Sequence, residues 1–184
     1  MNWLLPGTTL QTTIQEAHQV QNLFSSMFLS GGMVLSQVCA VTGLESYTVQ
    51  NWVKRGFLAP PEKKRYSMRQ LCRIININML KAALPMEDIC GLLSYINGEL
   101  GDEEDDLIDD ATLYFLFVRL AASHRQMKDF QGREAYLRQL LADYKEPIPG
   151  ARERVEKVLR IMLTAWAASQ LRQEAEKMVS ELRQ

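Results

Sequence analysis

The chain has 184 residues, of which 47% are hydrophobic and 23% are charged, and its formal net charge is -1. This composition is typical of a globular protein with one domain or two small ones, and it excludes a disordered polyelectrolyte or a collagen-like repeat. Three cysteines are too few for a disulfide scaffold. The near-neutral net charge argues against a nucleic-acid-binding protein only if the charges are spread evenly along the chain.

The charges are in fact concentrated in two segments of opposite sign. Residues 99–110 carry eight acidic side chains and no basic one. Residues 50–82 carry a single acid, Glu62, and eight basic side chains: Lys54, Arg55, Lys63, Lys64, Arg65, Arg69, Arg73 and Lys81. Such an asymmetry indicates a charged partner or a boundary between segments.

Neither a targeting signal nor a membrane span is predicted. No lysine or arginine precedes Lys54, so the N-terminal stretch lacks the basic region of a signal peptide, and no apolar run is long enough to cross a bilayer. An odd number of cysteines without a C-x-x-C pair fits a reducing compartment. We therefore expect a cytoplasmic protein that has no membrane partner.

The first predicted element in chain order is an amphipathic helix. Over residues 9–29, apolar side chains recur at spacings of three and four, and Gly31 and Gly32 follow as a stop. Two short helices come next, over residues 35–42 and about 46–55. Because a glycine follows each of them and the first glycine stands between them, the pattern is that of a helix-turn-helix.

Residues 57–66 cannot continue a helix, because two adjacent prolines lack backbone donors. We predict a small β wing there. Ser67 and Gln70 then match a capping box for a helix that runs to about residue 83, and a further helix is predicted to end near residue 97.

Beyond the acidic run, the composition favours long helices. The last of them starts at Pro149 and could reach Leu182, with an apolar stripe from Val155 to Trp166 that then shifts to Leu171. A helix of some 30 residues spans about 45 Å. This exceeds the need of a small domain, so part of the helix is expected to pack on another helix or on a second chain.

The predicted fold is mainly α, with a small β wing and an all-helical C-terminal region. Its four segments are an N-terminal amphipathic helix (1–30), a winged helix-turn-helix (31–98), an acidic linker (99–110), and a helical region for dimerisation or signal input (111–184).

The second helix of the motif has the side chains of a recognition helix. Its apolar residues share one face, and four polar residues share the other: Tyr47, Gln50, Asn51 and Lys54. Amides can pair with adenine through two hydrogen bonds, and phenol or ammonium groups can reach phosphates. Further candidates for phosphate contacts are Arg55 at the helix end, Lys63, Lys64 and Arg65 on the wing, and Arg69 and Arg73 on the following helix.

At these residues the chain resembles the MerR-like winged-helix regulators. The matching stations, in order, are residues 35–43, 48–56, FLAPP at 57–61, RYS at 65–67, and MEDI at 86–89. The strings QNWVKRG at 50–56 and KRYSMRQL at 64–71 are similar to a bacterial domain of unknown function grouped with those regulators.

The resemblance covers about residues 31–110 and implies a winged helix-turn-helix that binds DNA. Thr48 stands at the family's threonine, which adds it to the candidate DNA contacts, and Trp52 stands at the second of two aromatic positions. Gln50 and Asn51 replace an arginine and the first aromatic residue, so the family's detailed base contacts are not carried over.

No motif for catalysis or for a cofactor is present. The chain has no phosphate-cradling glycine loop and no G-x-S-x-G or H-E-x-x-H string. His18 and His124 are far apart and have no cysteine or histidine at ligand spacing. We expect no catalytic residues, no metal and no cofactor.

The sequence thus predicts a regulator of transcription that binds specific double-stranded DNA as a homodimer, with an unidentified effector or protein partner as a further option at the C-terminal region. The alternative is a protein-interaction module that reuses the MerR-like fold without binding DNA. The acidic run is expected to be a solvated linker that leads into a helix, or else to compete with DNA for the basic face.

Overall fold

The computed structural model describes residues 2–100, 102, 104–126 and 130–182. Within them, two strands, β1 (Asn2–Leu4) and β2 (Gln11–Thr13), precede a 3-10 helix at Ile14–Gln19. The α-helices are α1 (Val20–Met27), α2 (Leu35–Thr42), α3 (Ser46–Lys54), α4 (Met68–Leu80), α5 (Met86–Asn97), α6 (Asp110–Gln126), α7 (Phe130–Leu140) and α8 (Ala151–Glu181). No helix of this described part is both long and apolar enough to cross a membrane.

The N-terminal segment differs from the prediction. Strands β1 and β2 pair antiparallel, with Trp3 opposite Thr12. Gly7, in the connection between them, has a φ of +74°, and a Cβ there would meet the Ile75 carbonyl oxygen at 2.7 Å. The helix predicted over residues 9–29 is therefore wrong at its start: β-branched threonines occupy β2, and α1 begins only at Val20.

The helices of the central segment were predicted closely. The N–H of Gly43, at a φ of +69°, donates to the Cys39 carbonyl oxygen at 2.8 Å and closes α2. At the start of α4, the Gln70 N–H donates to the Ser67 hydroxyl at 3.1 Å, and the Ser67 N–H donates to the Gln70 side-chain oxygen at 2.9 Å. The predicted glycine stop of α2 and the predicted capping box of α4 are both confirmed, since each one depends only on local sequence.

The segment predicted as a β wing, residues 57–66, contains only isolated bridges. One joins Glu62 to Arg65, and the other joins Met33 to Tyr66. The two adjacent prolines remove donors that a longer ladder would need. The small two-stranded sheet of this protein therefore lies at its N-terminus, not in the wing; "wing" below means residues 57–66.

One hydrophobic core runs through the described chain from Trp3 to Trp166. Helix α4 contacts α2, α5, α6 and α8, and so lies at its centre. The buried Tyr114 hydroxyl donates to the Pro6 carbonyl oxygen at 2.9 Å, which ties α6 to the N-terminal hairpin. The predicted helix-turn-helix segment and the C-terminal helices therefore share a single core.

Helix α8 has two different halves. The stripe from Val155 to Trp166 is buried within the chain. This half of the helix therefore packs on the same chain. Beyond Ser169 the helix is exposed, with 68% of Leu171, 62% of Met178 and 86% of Leu182 accessible. The last three turns thus leave an apolar stripe without cover in the described chain.

Candidate nucleic-acid interface

Helix α3 presents its polar face to solvent, as predicted. Val49 and Trp52 are buried against the core, whereas Tyr47 is 70% exposed. Gln50, Asn51 and Lys54 are exposed beside it, and Thr48 is half-buried. Because the apolar face docks on the core, the amides of this helix are free of packing constraints and can meet the edge of a ligand.

The tip of the wing is held in an unfavourable backbone conformation. Lys63 and Lys64 have φ values of +48° and +63°, and the Arg65 N–H donates to the Glu62 carbonyl oxygen at 2.8 Å. Positive φ at both central residues is the requirement of a type I′ turn, which favours Asn-Gly. Two lysines in these places cost free energy, and such strain clusters at functional sites.

The base of the wing is fixed to the rest of the fold. Tyr66 and Met33 exchange both backbone hydrogen bonds, at 2.7 and 2.9 Å, and the Arg65 guanidinium donates to the Gly32 carbonyl oxygen at 2.7 Å. The Gln70 amide donates to the carbonyl oxygens of Ala59 and Pro60, residues of the wing. Burial raises the pKa of the Tyr66 hydroxyl. The lysine tip therefore projects from a rigid base.

An open groove of about 580 Å³ joins α3 to the wing. Gln50 of α3 and Lys64 of the wing tip both line it, so one amide of the polar face and one cation of the wing meet at this groove. The other lining residues are Val34, Leu35, Ser36, Val53, Pro61 and Tyr66.

Five exposed cations lie at the end of α3 and on the wing. Arg55 stacks its guanidinium over the Phe57 ring, 4.5 Å from the centroid, at the end of α3. Together with the side chains already described, it defines the α3–wing face, whose cations are Lys54, Arg55, Lys63, Lys64 and Arg65.

The two arginines of α4 have a different environment. Arg73 is buried; it donates to the Phe57 carbonyl oxygen at 3.0 Å and pairs with Asp110 at 3.3 Å. The phosphate contact predicted for Arg73 is corrected, because its guanidinium is enclosed by protein. Arg69, one turn earlier, pairs with the nearly buried carboxylate of Asp106.

The acidic run is thus partly a structural element. Asp109 caps α6 by accepting hydrogen bonds from the N–H groups of Ala111 and Thr112 at 2.9 and 3.0 Å, in agreement with a role at a helix start. Burial raises the pKa of the Asp110 carboxyl, and the charge of Arg73 opposes that rise. Of the predicted linker 99–110, residues 101 and 103 lie outside the described residues.

Comparison with known proteins assigns the family. The model of a family described as "Domain of unknown function (DUF1836)" matches residues 17–117, more than half of the chain. This chain belongs to the DUF1836 family. The matched region of this DUF1836 protein contains the whole α3–wing face and both arginine–aspartate pairs.

One relative is similar over a shorter stretch. It is described as the uncharacterized protein YkrK of Bacillus subtilis (strain 168), and it is 32% identical over 84 residues, which are 44% of this chain. The matched stretch covers 36% of the relative's own length. No solved structure matches this chain with significance.

Proposed function

We propose that this DUF1836 protein is a cytoplasmic regulator of transcription that binds specific double-stranded DNA through the α3–wing face, in the manner of MerR-like winged helix-turn-helix proteins. The single observation that carries the proposal is the exposed pair Lys63 and Lys64 held at positive φ, of which Lys64 lines the same groove as the exposed amide of Gln50. A turn that only connected two segments would be more stable with Asn-Gly.

The chemistry of the two parts is complementary. Gln50 and Asn51 offer both donors and acceptors, which suit the major-groove edge of a base pair. The lysines and arginines around them offer only donors and positive charge, which suit phosphates and carry no sequence information. A helix that reads bases beside a basic wing that holds the backbone is a DNA-binding arrangement.

Dimerisation is the second part of the proposal. One short recognition helix reads too few base pairs for specificity in a genome, and a two-fold dimer that reads paired half-sites is the usual solution. Leu171, Ala175, Met178 and Leu182 follow a 4-3-4 spacing on the exposed end of α8. This spacing is that of a coiled-coil seam, which a second copy of the chain could cover.

A triple alanine variant tests the DNA proposal. Replacing Gln50, Asn51 and Lys54 together should abolish specific duplex binding in fluorescence anisotropy, while the unfolding midpoint stays within a few degrees, because all three side chains are exposed. The duplex is first obtained by selection from a random pool, where an inverted repeat would indicate a dimer.

The rival function has its own support, which is the partly apolar groove lined by Leu35 and Val53. A protein-interaction module would retain no duplex at low salt, and its partner capture would change in the triple variant.

The dimer is tested on the end of α8. Substituting Leu171→Glu and Met178→Glu should convert a dimer to a monomer in light scattering, with little loss of stability, since both side chains are exposed. Gln173→Glu with Ser180→Glu is the matched control, because these positions have the same spacing of seven but lie about 200° around the helix. An unchanged mass in the first variant would remove α8 from the dimer interface.

A further inference from the structure

A second cavity, of about 590 Å³, is lined by other residues of the wing than the α3 groove. Its lining comes from the wing, from α4, from Asn97 at the end of α5, and from residues 99, 100, 102, 106 and 110. Leu58, Ala59, Pro60 and Leu100 supply apolar surface. Its volume is within the range of small-molecule sites.

Buried polar atoms in this cavity have no partner within the described chain. Asn97 is only 4% exposed, and neither its side-chain nitrogen nor its oxygen is hydrogen-bonded. Asp110 is 3% exposed, and while one of its carboxylate oxygens pairs with Arg73, Oδ1 has no partner. Burying such groups is unfavourable unless a bound molecule supplies the missing hydrogen bonds.

The unpartnered groups are mostly acceptors. They include Oδ1 of Asn97, Asp106 and Asp110, against one donor group, the amide nitrogen of Asn97. A molecule that completes these bonds must therefore carry several N–H or O–H donors in a compact arrangement. An ammonium group, with three donors and no acceptor, fits this requirement.

The charge of the lining agrees with an ammonium group as the ligand. Among the described residues, the cavity lining includes five carboxylates and four basic side chains: Glu62, Glu99, Asp102, Asp106 and Asp110 against Lys63, Arg65, Arg69 and Arg73. Acids outnumber bases among these described residues, so the lining suits an ammonium group better than a phosphate.

We infer that this cavity binds a small molecule that carries a primary ammonium group, with the ammonium donating to the free oxygens of Asn97 and Asp110 and an aliphatic stem lying against Leu58 and Pro60. Amino acids and polyamines share this chemistry. Because residues 60, 63 and 65 of the wing line the cavity, the ligand would act as an effector of DNA binding, a role that rests on the proposed function.

Calorimetry on the full chain, without DNA, tests the site. The probes are putrescine for a polyamine and L-ornithine for an amino acid. Two matched controls separate the parts of the recognition: 1,4-butanediol lacks the charge, and tetramethylammonium has the charge but no N–H donor. We expect saturable heat from at least one of the two probes at about 10 mM or below, and none from the controls.

Asn97→Leu removes the amide and keeps its size. It should weaken the probe at least about tenfold while leaving the thermal midpoint equal or higher, because an unpartnered buried amide is replaced by an apolar group. Should Asn97→Leu fail to fold, Ala59→Leu fills the cavity from the wing wall and should weaken the probe similarly.

Three results would overturn the site: no heat from either ammonium probe, equal binding of tetramethylammonium, or unchanged probe affinity in a folded Asn97→Leu or Ala59→Leu variant. The effector role has a separate readout, the DNA affinity at saturating probe. A probe that binds without changing DNA affinity overturns the effector role alone, and a chain that binds no DNA leaves the calorimetric test intact.

Discussion

Basic side chains only a few residues apart in this chain have opposite environments. Lys63, Lys64 and Arg65 lie on an exposed turn, whereas Arg73, in the second turn of the core-facing α4, is enclosed and paired with Asp110. Sequence gives all of them the same charge, and burial decides which can meet an external partner. The cluster of positive charge in residues 50–82 is therefore part interface and part internal structure.

The acidic run shows the same division from the other side. Asp106 and Asp110 pair with the arginines of α4, and Asp109 caps α6, whereas Asp102 and Glu104 are exposed. Part of the near-zero net charge therefore arises from ion pairs inside one fold. These pairs lie on α4, while Glu99 and Asp102 line the same cavity as Lys63 and Arg65 of the wing.

The largest expected effect is a difference in the free energy of unfolding between variants that remove a buried cation and an exposed one. Arg73→Met should lower the free energy of unfolding by about 3–5 kcal/mol, because it leaves the Asp110 carboxylate buried without its cation. Lys54→Met, at an exposed cation, should cost less than about 1 kcal/mol. Urea unfolding measures both, and equal losses would contradict the division.

The loss of stability in Arg73→Met should depend on pH, with a definite sign. Burial raises the folded-state pKa of Asp110, so its contribution to stability is present below the unfolded pKa and is lost as the pH rises through the folded pKa. Without Arg73 the folded pKa rises further. The deficit of Arg73→Met should therefore be largest at neutral pH and shrink toward about pH 4, whereas a deficit that is constant with pH would show that only packing was lost.

A smaller effect is expected at the wing tip. Lys63→Asn with Lys64→Gly keeps the turn in its favoured sequence, so stability should rise by about 1 kcal/mol or more as the positive-φ strain is relieved. Under the proposed function, the same variant should weaken duplex binding and reduce the salt slope by about 2 per protomer.

The matched control for the wing variant removes two exposed cations far from the α3–wing face in sequence, through Arg138→Ala with Lys145→Ala. It should leave both the affinity and the salt slope unchanged. If the control weakens binding as much as the wing variant does, the electrostatic contribution is diffuse and does not depend on the wing.

Local signals made much of the fold predictable. A glycine after α2, the capping box at Ser67 and Gln70, and the polar face of α3 each depend on neighbours in sequence, and all were placed correctly. The N-terminal hairpin was missed because its turn at Gly7 is fitted against Ile75, a contact that no local pattern reveals.

The candidate site was predictable only in part, for the same reason. Arg73 and Asp110 are 37 residues apart, so their pairing arises from tertiary packing. One signal was present in the sequence: Arg73 stands in a run of α4 in which residues 71–77 are apolar on nearly every side, which is typical of a buried helix. The cavity at Asn97 had no sequence signal, because it is assembled from the wing, α4 and the end of α5.

The most direct measurement is the salt dependence of duplex binding by the unmodified chain. If about four cations of each α3–wing face meet phosphates, a dimer neutralises about eight, and the logarithm of affinity should fall with the logarithm of salt at a slope near -7. This corresponds to a loss of roughly 10⁴ in affinity between 50 and 200 mM salt. A slope near zero, in protein that remains folded, would contradict the assignment of this face to DNA.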